Sequence, residues 1–121
     1  MEKTEDLIQS AAPKTAACDS FHATIEFIGK RWMGIIIYHL LDGPKRYHAL
    51  ASEIDGISDR LLTERLKELE AHGFAVKRTV PGGRKVEYEL TGRGHAFEPV
   101  IRTILAWVKE NGGCPDKAAT D

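Results

Sequence analysis

The sequence predicts a mainly α-helical fold with one small antiparallel β-hairpin. Most of the chain repeats apolar residues every three or four positions, which is the spacing of an amphipathic helix. Only residues 75–90 alternate apolar and polar side chains as β-strands do, on both sides of a Pro-Gly-Gly turn. Serine and threonine caps and closing glycines divide the helical stretches from one another. We therefore expect several helices and a single hairpin in one small domain.

Composition excludes several classes of protein. The 121 residues are 42% hydrophobic and 29% charged, which is typical of one globular domain. The longest apolar run, residues 33–41, is far shorter than the roughly 20 residues that span a bilayer. The first ten residues lack the apolar core of a signal peptide. We therefore expect a cytoplasmic protein with no membrane association.

Charge and cysteine content limit the kinds of partner and site. The net charge is −1, so nucleic-acid binding would have to rest on local charge, and residues 77–87 hold four bases against one acid. The two cysteines, Cys18 and Cys114, are too few for a disulfide framework, and no metal-ligand spacing is present. The sequence also lacks a nucleophile–base pair and a phosphate loop. We expect no enzyme, no cofactor and no metal.

An arm and two helices come first. Residues 1–17 are expected to form a flexible N-terminal arm. Asp19 or Ser20 can cap a first helix, which Gly29 ends. The second stretch, residues 30–43, is apolar almost all round, and this is typical of a buried central helix.

A pair of helices follows. Residues 46–54 predict a short helix, and residues 55–58 a turn that contains glycine. Residues 58–73 predict a longer helix, capped by Ser58 and ended by Gly73. Two helices joined in this way describe a helix-turn-helix.

The longer helix of this pair has two chemically different faces. Projected at about 100° per residue, Leu62, Leu66 and Leu69 gather on one side, which predicts contact with the core. The polar residues on the opposite side are Arg60, Thr63, Glu64 and Lys67. Such a face can enter the major groove of DNA and present hydrogen-bonding groups to base edges.

The hairpin comes directly after this helix. The residues expected on its core side are Phe74, Val76 and Val80 on the first strand, and Val86, Tyr88 and Leu90 on the second. Gly82 and Gly83 supply the positive φ of a tight turn. A hairpin in this place forms a wing whose tip can reach phosphates or the minor groove. Its candidate DNA-binding residues are Lys77, Arg78, Arg84 and Lys85.

A last helix closes the domain. Thr91 can cap it, it runs to about Asn111, and Pro99 inside it predicts a bend. Residues 114–121 are expected to form a flexible C-terminal tail, so the domain spans residues 18–113. The order of elements describes a winged helix-turn-helix with extra helices at both ends. Their apolar stripes exceed what one small core needs, which predicts dimerisation helices.

In these features the chain resembles the HxlR-type regulators of the MarR-like winged-helix group, from Cys18 to about Asn111. The motifs that carry the resemblance are "IGKRW", "LLDGPKRYHAL", "GISDRLLTERLKELEAHGF", "VEYELTGRG" and a proline-containing helix that ends in "LAWV". The resemblance implies a transcription factor that binds double-stranded DNA as a homodimer. It assigns the recognition helix to residues 58–73 and the wing to residues 76–90. It also implies that Cys18, ahead of the first helix, senses oxidants or electrophiles.

One position departs from the family. Many members carry glutamine where Glu64 stands. Glutamate accepts hydrogen bonds but does not donate them, so it favours cytosine N4 over adenine and repels phosphate. The family's base preference is therefore not transferred to this position.

Simpler interpretations stand beside these. The polar helix face can be merely solvated, Ser58 can be a cap alone, and the wing bases can guard an edge strand. Asp19 opposes any lowering of the Cys18 thiol pKa, so Cys18 can be inert. The sequence predicts a sequence-specific transcriptional regulator, more readily a repressor than an activator, on a pseudo-palindromic operator, with an effector left open. The alternative is a winged-helix protein-interaction module, which the acids Glu64, Glu68 and Glu70 favour.

Overall fold

The computed structural model describes residues 14–83 and 85–114, with side chains from Asp19 onward. The chain divides into two compact units, one ending at Gly34 and the other beginning at Ile35. Residues 1–13 of the predicted arm (residues 1–17), residues 115–121 of the predicted tail (residues 114–121), Arg84 and the Cys18 side chain lie outside the described residues.

The first helix, α1 (Lys14–Ile28), begins earlier than the sequence predicted. Neither Asp19 nor Ser20 caps it, because both lie inside it, and the Ser20 carbonyl accepts a hydrogen bond from Thr24 Oγ1 at 2.8 Å. Two alanines precede Cys18, and alanine has the highest helix propensity, so these residues favour an earlier start of the helix. Gly29 follows the last helical residue, as predicted.

The second helix, α2 (Met33–Leu40), crosses the boundary between the two units. Ile36, Ile37 and Leu40 are fully buried. Ile35 and Tyr38 are exposed, so the expectation of burial almost all round was wrong. An apolar helix can leave one side exposed in the single chain when another protein surface covers that side.

The second unit contains the rest of the fold. Its elements are β1 (Lys45–Arg46), α3 (Tyr47–Glu53), α4 (Asp59–Ala71), β2 (Ala75–Thr79), β3 (Val86–Leu90), α5 (Gly92–His95) and α6 (Glu98–Asn111). The strands form an antiparallel sheet in the order β1-β3-β2. The helix-turn-helix of α3 and α4 and the hairpin of β2 and β3 were both predicted. Strand β1 was not predicted, because two consecutive basic residues show no alternation of apolar and polar side chains.

The hairpin register overturns the predicted parity of β2 and agrees with that of β3, where Leu90 is buried. Val80 N–H donates to the Lys85 carbonyl at 2.8 Å, which leaves a four-residue loop and pairs Ala75 with Leu90. Ala75 and Leu90 are buried, whereas Val76 lies on the other side of the sheet and is 38% exposed. The prediction grouped Val76 with Phe74 and Val80 by their alternating positions, but the loop length sets the register.

The C-terminal region holds two helices where one was predicted. Thr91 caps α5, as its Oγ1 accepts from Gly94 N–H at 3.1 Å, but that helix ends at His95. A new helix, α6, then starts at Glu98 with Pro99 in its first turn. Proline is tolerated there because the missing N–H has no partner in the first turn anyway. Pro99 therefore opens a helix instead of bending one.

Candidate nucleic-acid interface

The two faces of α4 are divided as the sequence predicted. Leu62, Leu66 and Leu69 are buried, with at most 1% of each exposed. The four polar residues on the opposite side, Arg60, Thr63, Glu64 and Lys67, are all exposed. Together with Asp59 they line an open depression of about 420 Å³. We call this surface the polar face of α4.

The start of α4 is fixed by two hydroxyl groups. Ser58 Oγ accepts a hydrogen bond from Leu61 N–H at 3.1 Å, which confirms Ser58 as the cap. Tyr47, the first residue of α3, donates its hydroxyl to the Asp59 carbonyl oxygen at 2.9 Å and lies 3.2 Å from Asp59 Oδ1. Thr63 Oγ1 donates to the same Tyr47 hydroxyl at 3.3 Å. Sequence analysis did not reveal this contact, because Tyr47 lies 12 and 16 positions from its partners.

The end of α4 is fixed by the segment that follows β3. Thr91 Oγ1 donates to the Gly73 carbonyl at 2.5 Å, and Thr91 N–H donates to the Phe74 carbonyl at 2.9 Å. Arg93 Nε donates to the His72 carbonyl at 3.0 Å. These bonds tie the carbonyl groups of residues 72–74, which follow the last residue of α4, to the segment after β3. The orientation of α4 is thus determined from both of its ends.

Arg65 takes no part in the polar face. Its Nη1 lies 2.8 Å from Glu68 Oε1, and its side chain is only 14% exposed. Arg65 is thus a salt-bridge partner beside the leucine stripe. Glu68 is engaged in the same ion pair, so the acidic side chains that share the depression with Lys67 are Asp59 and Glu64.

The wing lies next to α4, because α4 packs against β2. Lys77 and Lys85 are exposed, and Lys77 Nζ lies 5.9 Å from the centre of the Tyr88 ring. Arg78 forms an ion pair with Glu89 across the hairpin. Arg84, the residue expected at the tip, lies outside the described residues. The polar face of α4 and the described residues of the wing therefore lie in the same compact unit.

A polar cluster connects α2, β1 and α3. Glu53 Oε1 lies 2.6 Å from Lys45 Nζ and 3.0 Å from His39 Nδ1. The hydrogen bond from Lys45, and then the charges of Lys45 and His39, hold the pKa of Glu53 below its ordinary value. The ionised carboxylate links the strand that enters α3 to the helix that precedes it. Sequence spacing did not reveal this cluster, because its members come from three elements.

Comparison with known proteins identifies the arrangement. The family model for the HxlR-like helix-turn-helix matches residues 27–115. The chain belongs to the HxlR-like helix-turn-helix family. This confirms the predicted resemblance and the winged helix-turn-helix fold, and it confirms that the chain is a regulator of transcription and not an enzyme.

Three relatives of this HxlR-like chain show the extent of the similarity. The reduced form of the transcriptional regulator YodB from Bacillus subtilis is 37% identical, with a TM-score of 0.71 over 80% of this chain and 96% of that one. The redox regulator HypR in its reduced form is 35% identical, with a TM-score of 0.71 over 78% and 94%. The HTH-type transcriptional regulator YvaP of Bacillus subtilis is 34% identical over 77% of this chain and 87% of its own length.

The HxlR-like chain also has exposed apolar residues on its terminal helices. On α1, Phe21 is 67% exposed and Ile25 is also exposed. The corresponding residues on α6 are Val100, Ile104, Leu105, Trp107 and Val108. Within residues 14–83 and 85–114, no helix is long and apolar enough to cross a membrane.

Proposed function

We propose that the chain is a sequence-specific DNA-binding regulator whose α4 reads the major groove. The observation that carries this proposal is the polar face of α4, exposed above a buried leucine stripe in a member of a helix-turn-helix regulator family. Arg60, Thr63 and Lys67 offer donors to base edges or phosphates, and Glu64 offers an acceptor. Ser58, at the N-terminus of α4, is available to a phosphate.

The wing supplies the attraction to phosphates that the net charge of −1 does not. We assign this role to Lys77, Arg84 and Lys85. Arg78, which was also a candidate, has the weakest claim, because its guanidinium is already paired with Glu89. Breaking that pair would offset part of any gain from a phosphate contact.

We infer that the regulator acts as a homodimer. Apolar side chains such as Trp107 on α6 and Phe21 on α1 are more than half exposed in the single chain, and a two-fold interface would cover them. Two copies of α4 would then read half-sites of a pseudo-palindrome. We expect the regulator to be a repressor, because a protein that blocks a promoter by binding to it needs no further interaction surface. Its relatives are bacterial regulators of transcription, so we expect it to act on chromosomal DNA in the cytoplasm.

The relatives also support a redox or electrophile response. Structures exist of quinone-bound YodB and of HypR in its oxidised form. By analogy we propose that an oxidant or electrophile modifies Cys18 and releases DNA. Treating the wild type and Cys18→Ser with a quinone or a peroxide tests this. DNA release by the wild type alone supports the role of Cys18, and equal release by both removes it.

The test of DNA binding is charge reversal. The double variant Lys67→Glu/Arg84→Glu should bind DNA from upstream of its own gene about a hundredfold more weakly at moderate salt. Lys117→Glu reverses one charge in the predicted C-terminal tail and should bind normally. Unchanged affinity of the double variant would contradict the proposal.

The alternative is a winged helix that binds another protein. The exposed Glu64 within the polar face favours it, since a carboxylate repels phosphate. Retention of the wild type on a heparin or DNA column, released by increasing salt, supports DNA binding. Passage through both columns at low salt supports the protein-binding alternative.

A further inference from the structure

The hydrogen bonds around Tyr47 determine which protons its partners hold. The Asp59 main-chain carbonyl oxygen, 2.9 Å from the Tyr47 hydroxyl oxygen, can only accept a hydrogen bond, and Asp59 Oδ1 lies 3.2 Å from the same hydroxyl. A tyrosine hydroxyl has a single proton, so that proton is directed to Asp59. The Tyr47 oxygen is then an acceptor toward Thr63, whose Oγ1 lies 3.3 Å away. Thr63 must therefore donate its own proton to Tyr47.

This relay changes what Thr63 can offer to DNA. A free threonine hydroxyl both donates and accepts, and in a helix its side chain divides between two rotamers. Here the proton is used inside the protein, so the exposed part of Oγ1 can only accept. The same bond fixes the Thr63 side chain, and with it the position of the methyl group in the polar face of α4.

We propose that Tyr47 is a positioning residue that sets the base specificity of Thr63; the proposal rests on the DNA-binding function proposed above. An acceptor oxygen beside a methyl group matches the major-groove edge of an A·T pair. That edge presents the adenine amino group as a donor and the thymine methyl group as an apolar contact. A G·C pair offers the cytosine amino group but no methyl group. Thr63 therefore selects an A·T pair in each half-site.

The position of Tyr47 in the fold explains why it can do this. Tyr47 begins α3, while Asp59 and Thr63 lie in the first two turns of α4. Its hydroxyl therefore joins the supporting helix to the reading helix at the end where Arg60 and Thr63 line the depression. Removing this hydroxyl alone would free the Thr63 side chain and leave the leucine stripe untouched.

The experiment selects binding sites from a randomised DNA duplex pool with the full chain and sequences them. The proteins are the wild type, Tyr47→Phe, Thr63→Val and the double variant, with Tyr38→Phe as a control that removes a tyrosine hydroxyl outside α3 and α4. Tyr47→Phe should lose about fivefold of the preference at one base pair in each half-site. The other positions and the affinity for a random duplex should stay the same. The double variant should match Thr63→Val, because Tyr47 acts through Thr63.

The outcomes separate this inference from the function on which it rests. If the wild type enriches no sequence, the DNA-reading function fails and the inference falls with it. If the wild type enriches a site and Tyr47→Phe selects the same site with the same profile, only the inference is overturned. If Tyr47→Phe does not fold, judged by circular dichroism, Thr63→Val decides. An unchanged profile for Thr63→Val overturns the role of Tyr47, and a loss confined to one A·T pair supports the selection by Thr63 through which Tyr47 acts.

Discussion

Gly94→Ala should be among the most damaging single substitutions in the described part of the chain. Gly94 is buried in α5, where a Cβ atom would lie 2.2 Å from the Phe74 carbonyl oxygen. The same atom would lie 3.0 Å from Leu90 Cδ2. The oxygen belongs to the backbone and cannot rotate away as a side chain can. The substitution must therefore push α5 away from the start of β2.

The magnitude follows from the contacts at this point. Thr91 N–H donates to the Phe74 carbonyl at 2.9 Å, and Gly94 N–H donates to Thr91 Oγ1 at 3.1 Å. Losing these two bonds costs about 1 kcal/mol each. The steric overlap adds about 1–3 kcal/mol, as overpacking usually does. The free energy of unfolding should fall by about 3–5 kcal/mol, a large part of the 5–15 kcal/mol that is typical of a domain.

Urea unfolding followed by circular dichroism, at equal protein concentration, measures this change. Gly92→Ala is the matched control, because a Cβ atom on Gly92 meets nothing within 4 Å. That variant should change the free energy of unfolding by less than about 1 kcal/mol. If Gly94→Ala behaves like Gly92→Ala, the close packing of α5 on the Phe74 carbonyl is not what holds this region.

Three further predictions concern stability. Because the pKa of Glu53 is lowered from 4.5, its ion pair should stabilise the fold at neutral pH and lose that effect as the pH falls below about 4.5. Glu53→Gln should therefore unfold more easily than the wild type at pH 7, with the difference shrinking in acid, and a constant difference would contradict this. Leu66→Ala removes a side chain that is 1% exposed, so urea unfolding should show a loss of about 2–5 kcal/mol. Pro99→Ala should shift the unfolding midpoint hardly at all, since Pro99 lies in a first turn, and a marked stabilisation would refute that placement.

Sequence reasoning succeeded where the determining physics is local. The leucine face, the polar face and the Ser58 cap of α4 all follow from a period of 3.6 residues and from the hydrogen-bonding needs of a helix end. The motifs around them were enough to identify the family. The DNA contacts, the dimer and the redox role of Cys18 remain predictions.

Sequence reasoning failed where distant segments decide the outcome. The parity of β2 depends on a four-residue loop and on the pairing of Ala75 with Leu90, which no single strand reveals. Strand β1 exists because β3 offers it an edge. The Tyr47 contact joins residues 12 and 16 positions apart, beyond any helical repeat. Pro99 was predicted to bend a helix because the interruption between α5 and α6, at Ala96 and Phe97, leaves no mark in the apolar pattern.

The attachment of α4 at both ends has a consequence for signalling. Tyr47 bonds to its first turn, and Thr91 and Arg93 bond to carbonyl groups of the two residues that follow its last turn. A chemical signal cannot easily unwind such a helix, since several bonds at opposite ends would have to break together. An effector that releases DNA would instead move α3, α4 and the wing together as a rigid body. In a dimer, the effector would then change the distance between the two DNA-binding regions and leave the structure of each region unaltered.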